Sequence, residues 1–210
     1  MRVEEIMEYS GEYLVKLARR TIDTYLKSKI KIKLPKDAPK DLMDQSGVFV
    51  TLHRIDQGDK PILRGCIGRI QSPGSTLLQS TIDSAIDAII HDYRFPNVTL
   101  SELDKITVEI TILTVPEKIT VKDPKDYFNI IEIGRHGLIA ERSSIQRGLL
   151  LPQVPVQQGW NVQMYLDSVC QKAGLPSNAW QDLDTSISSF EGFIFAELSP
   201  NGAIELKTHH

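Results

Sequence analysis

The sequence predicts an α+β protein: a mostly antiparallel sheet with flanking helices. Three observations lead there. Runs rich in β-branched residues come in pairs separated by short turn sequences, the pattern of β-hairpins. Between them lie segments whose apolar residues recur at helical spacing. The two kinds do not alternate steadily, so a doubly wound parallel sheet is not expected. The 210 residues, 41% hydrophobic and 24% charged, suffice for one large domain, or one domain with a subdomain, around a sizeable core.

In chain order, the first element is a helix, with Ser10 as the expected N-cap and Leu14, Ala18, Ile22 and Leu26 as its buried stripe. In "KSKIKIKLPK" the period changes: Ile30, Ile32 and Leu34 alternate with Lys29, Lys31 and Lys33, which predicts a strand with one wet face and a lysine row guarding an edge. "PKDAPKDLMDQSG" reads as a loop. "GVFVTLHRI" and "PILRGCIGRI" form a hairpin across the turn "DQGDK". Pro73 and Gly74 end it, and Ser75 is the expected cap of a helix that buries Leu78, Ile82, Ala85, Ile86 and Ile89 and stops before Pro96.

"ITVEITIL" is the clearest strand. Its Ile106, Val108, Ile110 and Ile112 should lie against a helix, with Thr107, Glu109 and Thr111 on the other face. "HGLIAERSSIQRGLLL" predicts a second hairpin, "LPQVPVQQGW" a loop, and "NVQMYLDSVCQKAGLP" a helix ended by Gly174. "FEGFIFAEL", the turn "SPNG" and "AIEL" make a last hairpin. No solenoid-period repeat is present.

A net charge of −3 gives no global field for nucleic acid or anionic membrane. No apolar run reaches the ~18 residues of a membrane span. The acidic start "MRVEEIMEYSGEY" carries no leader pattern, so a cytoplasmic protein is expected. Cys66 and Cys170 should remain unbonded, with Cys170 inert core beside Leu166, Val169 and Ala173. No Cys-x-x-Cys, His-x-x-x-His or acidic triad points to a metal, and "GCIGRI" lacks the Lys-Ser/Thr ending of a phosphate loop, so no metal or cofactor is expected. The lysines of 29–40 read as a solvated edge rather than an RNA surface, because no aromatic platform is interleaved with them.

The chemistry-bearing stretch is "ILRGCIGRI". Cys66 has two readings. It is a nucleophile whose pKa is lowered by Arg64 or Arg69, or it is a small hydrophobe packed where a strand bends at Gly65 and Gly68. Strand alternation places Arg64, Cys66 and Gly68 on one face and Arg69 on the other. A nucleophile needs a base, and His53, His91 and His136 are the internal histidines. Asp92 and Arg94, at a helix end, either orient a ligand or brace the loop. Glu109 is the first candidate for the anion that Arg64 must find, and Gln153 is the polar handle of its loop. The candidate site is thus Cys66 as nucleophile or packing, with Arg64, Gly65, Gly68, Asp92, Arg94, Glu109, His136 and Gln153 as ligand-binding residues.

"LRGCIG" (Leu63–Gly68) resembles the hallmark hexapeptide of the AMMECR domain family, named for the AMME syndrome candidate gene product. "SAIDAIIHDYRFPNVTLSELDKITVEITILTVPEKI" resembles the family's helix, its D-x-R-F step and the strand that follows. "GRHGLIAERSSIQRGLLLPQVPVQQGW" and "CQKAGLPSNAW" resemble two further segments. Four ordered segments at compatible spacing cover roughly residues 8–206. The resemblance implies an α+β fold with a larger and a smaller subdomain and a cleft between them. It implies no reaction. Family members are associated with Memo-like proteins and radical S-adenosylmethionine enzymes, so a role in modifying a macromolecule such as RNA is implied. This chain has no iron–sulfur cysteine triplet and is not itself the radical enzyme. Two functions follow: a module that presents a ligand or substrate at the "LRGCIG" motif, or a transferase or hydrolase-like enzyme that uses Cys66.

Overall fold

The computed structural model describes residues 3–36, 38–39, 42, 47–56, 60–70 and 74–207, with side chains from Ser10 onward. The chain divides into two compact units; one runs to Leu113 and resumes at Phe193, and the other is Thr114–Gly192. The mixture of helices and sheets is the expected α+β class.

In the first unit, α1 (Val3–Ser28) and α2 (Leu77–Ile90) pack on a five-stranded sheet. Its strands are β1 (Gly47–Arg54), β2 (Ile62–Arg69), β3 (Ile106–Leu113), β8 (Gly192–Glu197) and β9 (Ile204–Lys207), in the order β2-β1-β3-β8-β9. β1 is antiparallel to both β2 and β3, and β8 to β9. β3 is the middle strand. Ile106, Val108 and Ile110 are fully buried and Ile112 nearly so, in one core with Leu14, Ala18 and Ile22 of α1 and Ile82 and Ala85 of α2. Each such burial stabilises by about 1.5–3 kcal/mol. The opposite face of β3 is drier than alternation predicts, because Thr107 and Thr111 are buried as well.

In the second unit, β4 (Glu117–Lys118), β5 (Gly137–Glu141), β6 (Arg147–Leu150) and β7 (Ser186–Phe190) form a sheet in the order β4-β7-β5-β6. The short helices α3 (Tyr127–Ile130) and α4 (Gln153–Gln158) and the longer α5 (Val162–Lys172) belong to this unit. Its core gathers Leu138, Tyr165, Leu166, Val169, Cys170, Trp180 and Ile187. Asn161 caps α5 through its side chain, which accepts from the Met164 N–H at 2.9 Å.

Several local expectations are corrected. α1 begins at Val3, so Ser10 lies inside the helix and does not cap it. Residues 29–34 form no strand. Lys29 turns into the left-handed region at φ 59°, and the segment leaves Ile30 61% and Leu34 41% exposed, while Ile32 packs on the core. A two-residue period makes a strand only where a ladder partner exists, and none is present here among the described residues. The N-cap of α2 is Thr76 rather than Ser75; its hydroxyl accepts from the Gln79 N–H at 3.2 Å. Residues 153–158 are helical, not loop. Pro155 falls in the first turn, where its missing N–H costs nothing, and Gly159 closes the helix at φ 65°. β7, "SISSF", carries too few apolar residues to announce itself. Much of the "PKDAPKDLMDQSG" loop, the centre of "DQGDK" and Pro73 lie outside the described residues.

Candidate functional site

β2 is an edge strand, and "LRGCIG" lies along it. The motif starts with a bulge. Leu52 of β1 stands opposite Gly65 and His53 opposite Leu63, so Arg64 is the extra residue with no cross-strand partner. The bulge breaks the alternation that would set Arg64 on the face of Cys66 and Gly68. On that face Leu63 pairs with His53, Cys66 with Thr51 and Gly68 with Phe49. On the other face Gly65 lies so close to α2 that a Cβ there would stand 2.3 Å from the Ala88 carbonyl oxygen. A glycine is required because that obstacle is backbone.

Arg64 turns to the segment after α2. Its Nε donates to Glu102 Oε1 at 2.8 Å and its Nη2 to Oε2 at 3.3 Å; Nη1 and Nη2 also donate to the carbonyls of Pro96 and Asn97 at 2.8 and 3.3 Å. The expected partner Glu109 is therefore replaced by Glu102. Glu102 also caps the short 3-10 helix Leu100–Lys105 by accepting from the Thr99 N–H at 2.8 Å. Burial raises the Glu102 pKa, but the hydrogen bonds from Arg64 and Thr99 outweigh it and hold the carboxyl down at about 2. Glu109 pairs instead with Lys207.

Cys66 is braced from outside the sheet. Its N–H donates to Asp92 Oδ2 at 2.8 Å, and its carbonyl accepts from Arg94 Nη2 at 3.1 Å. Asp92 and Arg94 are themselves joined, with Nε to Oδ1 at 2.8 Å and Nη2 to Oδ2 at 2.7 Å. This ion pair occupies the place of a neighbouring strand at that peptide and blocks strand addition there. Asp92 is 5% exposed. The hydrogen bonds from Arg94, reinforced by the Cys66 N–H, overcome burial and hold its carboxyl at about 2. "HDYRF" is thus a brace first. The neighbouring Arg69 faces α2 and donates to Ser84 Oγ at 2.8 Å and Asp87 Oδ2 at 2.6 Å, away from the thiol, as its position in the strand implies.

The Cys66 side chain is half-buried and accepts from the Thr51 hydroxyl, Oγ1 to Sγ 3.2 Å. Burial pushes the thiol pKa up. The Thr51 hydrogen bond and the Arg94 charge oppose this, the charges of Asp92 and Glu109 add to it, and the net shift is upward. Cys66, Thr51 and Glu109 form one cross-strand row, with His53 two residues further along β1. Burial also lowers the His53 pKa, against the pull of Glu109, so the imidazole is neutral near pH 7. No hydrogen bond joins His53 to the thiol among the described residues. His91 is held by Asp87 at 2.7 Å. His136 and Gln153 belong to the second unit; His136 Nδ1 accepts the Glu132 N–H at 3.1 Å, and Gln153 opens α4. Both cysteines are free. Cys170 is fully buried, and burial lifts its thiol to about 11.

Two residues of this arrangement, Thr51 and Glu102, are not among those the sequence singles out. Thr51 carries no signal in a threonine-rich strand, but Thr99-x-x-Glu102 is a capping-box spacing that marks Glu102.

The AMMECR1 family model matches residues 15–195. Protein PH0010 of Pyrococcus horikoshii is 45% identical over 205 residues, covering 98% of each chain. Protein MJ0810 of Methanocaldococcus jannaschii is 45% identical over 194 residues, 92% of this chain and 93% of that protein. The crystal structure of the uncharacterized PH0010 superposes with a TM-score of 0.81 over 95% of this chain and 97% of that one. The chain belongs to the AMMECR1 family. No helix among the described residues is long and apolar enough to cross a membrane.

Proposed function

We propose that this protein is a cytoplasmic binding module that presents a ligand or substrate at the "LRGCIG" motif, on the sheet face around Cys66, and that it performs no thiol chemistry. The observation that carries this reading is the state of Cys66. Its peptide is held by Asp92 and Arg94, and burial outweighs the hydrogen bond from Thr51 and keeps the thiol protonated. A nucleophilic thiol needs the opposite environment, one that favours thiolate. Arg64, the cation nearest in sequence, turns away from the sulfur, with each of its guanidinium nitrogens bonded to Glu102 or to the carbonyls of Pro96 and Asn97. The partner in this reading is a separate modifying enzyme, of the Memo-like or radical S-adenosylmethionine kind that the family resemblance implies, with RNA among the substrates it would modify.

One observation favours the enzyme alternative: His53, neutral and on the face of Cys66, is in a suitable state to act as a base. Alkylation of the native protein by iodoacetamide across pH 6–10 decides between them. The expected profile rises only above the midpoint of an ordinary thiol, ~8.5. A midpoint well below that value would overturn the binding-module reading. Cys170, fully buried, should not react in the native protein.

A further inference from the structure

A second polar site lies toward the other edge of the sheet from Cys66, where Arg19 of α1 reaches Glu197 at the end of β8, beside the turn that leads to β9. A groove of about 310 Å³ opens there, lined by Lys16, Arg19, Arg20, Asp23, Glu197 and Asn201 among others. Its floor is Arg19, whose side chain is 7% exposed. Three of the guanidinium's contacts are made: Nε donates to Glu197 Oε1 at 3.0 Å, and Nη2 donates to Glu197 Oε2 and to the Ile106 carbonyl, the last at 2.6 Å. Nη1 has no hydrogen-bond partner, and neither has Asp23 Oδ1, which stands 4.0 Å from it; both atoms are closed off from solvent. A buried donor and a buried acceptor side by side, both unsatisfied, cost stability unless something fills them.

We propose that this groove binds a protonated tetrahedral oxyanion, inorganic hydrogen phosphate being the simplest. Hydrogen-bonding capacity leads there. Arg19 and Glu197 cancel each other, as do Lys16 and Glu12, so the pull on an anion comes from the unpaired guanidinium of Arg20 and from Arg19 Nη1 rather than from an excess of charge. Arg20 has no ion pair or hydrogen bond among the described residues, and Lys16 meets only the exposed Glu12. The floor, however, offers an acceptor as well as a donor. A sulfate or a carboxylate has acceptor atoms only and would set an anion against Asp23. Hydrogen phosphate supplies both: an oxygen accepts from Arg19 Nη1, and its P–OH donates to Asp23 Oδ1. Asp23 is 30% exposed, so a small rotation of its carboxylate admits the ligand.

Calorimetric titration of the full chain with inorganic phosphate and with sulfate, at one ionic strength and near pH 7, tests the assignment. Saturable phosphate binding is expected, about tenfold or more tighter than sulfate. Arg20→Ala should weaken both anions. Asp23→Asn, which keeps the shape and can donate to sulfate, should abolish the preference. Phenyl phosphate at pH 8, fully ionised and without a P–OH, should behave like sulfate. Thermal unfolding of each variant without added anion establishes that it is folded. The proposal is overturned by equal binding of phosphate and sulfate, by no saturable binding, by an Asp23→Asn variant that still discriminates, or by phenyl phosphate binding as tightly as inorganic phosphate.

Discussion

Arg19 and Arg64 are built alike and placed differently. Each grips a carboxylate through two nitrogens and donates to backbone carbonyl oxygen as well. Arg64 stands in the most recognisable stretch of the sequence, and every one of its guanidinium nitrogens is occupied in holding β2 to the segment after α2. Arg19 stands in an ordinary amphipathic helix that carries no motif, and it keeps one nitrogen unpartnered at the floor of a groove. A conspicuous motif is not by itself a list of ligand-binding groups. In "LRGCIG" the arginine, the first glycine and the backbone of the cysteine are all accounted for by the architecture of one braced edge strand.

The two pairs also differ in burial, and that sets the largest expected effect. Arg19 and Glu197 are 7% and 3% exposed, whereas Arg64 and Glu102 are 12% and 21% exposed. Removing one partner of a buried pair leaves the other as an uncompensated charge, which costs about 3–5 kcal/mol. Arg19→Met should lose that much in urea unfolding. It removes at the same stroke the ligand of Glu197, which also accepts the Val108 N–H at 3.0 Å. Arg64→Met should cost less, about 1.5–3 kcal/mol, because water can reach Glu102 and the freed carbonyls. Equal losses would mean that the edge strand is as integral to the core as the α1–β8 contact, and the contrast drawn above would fail.

Acid sharpens the picture of the braced edge. Glu102 and Asp92 are both held at about 2 in the folded protein, against about 4.3 and 3.9 for ordinary glutamate and aspartate. A depressed folded-state pKa contributes stability that is fully present above the unfolded value and is lost as pH falls through the folded one. The melting temperature should therefore drop between about pH 5 and pH 2. Glu102→Gln and Asp92→Asn should each start lower at pH 7 and fall less steeply over that window. A variant whose acid limb parallels that of the parent would show that its carboxyl is not tied as described.

What could be read from the sequence follows a physical rule. Elements whose signal is local and apolar were legible: the β3 alternation, the stripes of α1 and α2, the hairpin pairing of β1 with β2. The strand expected at 29–34 was not, since an alternating pattern says nothing about whether a ladder partner will stand beside it. Site residues divide the same way. Asp92 and Arg94 stand two residues apart at a helix end and mark themselves as a pair, but nothing local says that they brace the Cys66 peptide, 26 and 28 residues away. Alternation alone faces Arg64 toward Glu109; a one-residue bulge, invisible in the sequence, moves the side chain off that face and onto Glu102. Arg19 and Glu197 are 178 residues apart, and no local pattern joins them.

The smallest expected effect concerns the thiol. Thr51 donates its hydroxyl to Cys66 Sγ at 3.2 Å, and this bond works against burial in setting the thiol's pKa. Thr51→Val keeps the branched shape and removes the donor. The thiol should then ionise at still higher pH, and iodoacetamide alkylation at a fixed pH should slow roughly two- to tenfold, the worth of one ordinary hydrogen bond. Stability should shift by no more than about 1 kcal/mol. His53→Ala is the matched control. If the thiol is packing at the floor of a binding face, losing the imidazole leaves the alkylation profile where it was, because no proton passes between them. If His53→Ala slows alkylation more than Thr51→Val does, the histidine serves the sulfur as a base, and Cys66 is a reactive group beside a motif whose arginine is merely structural.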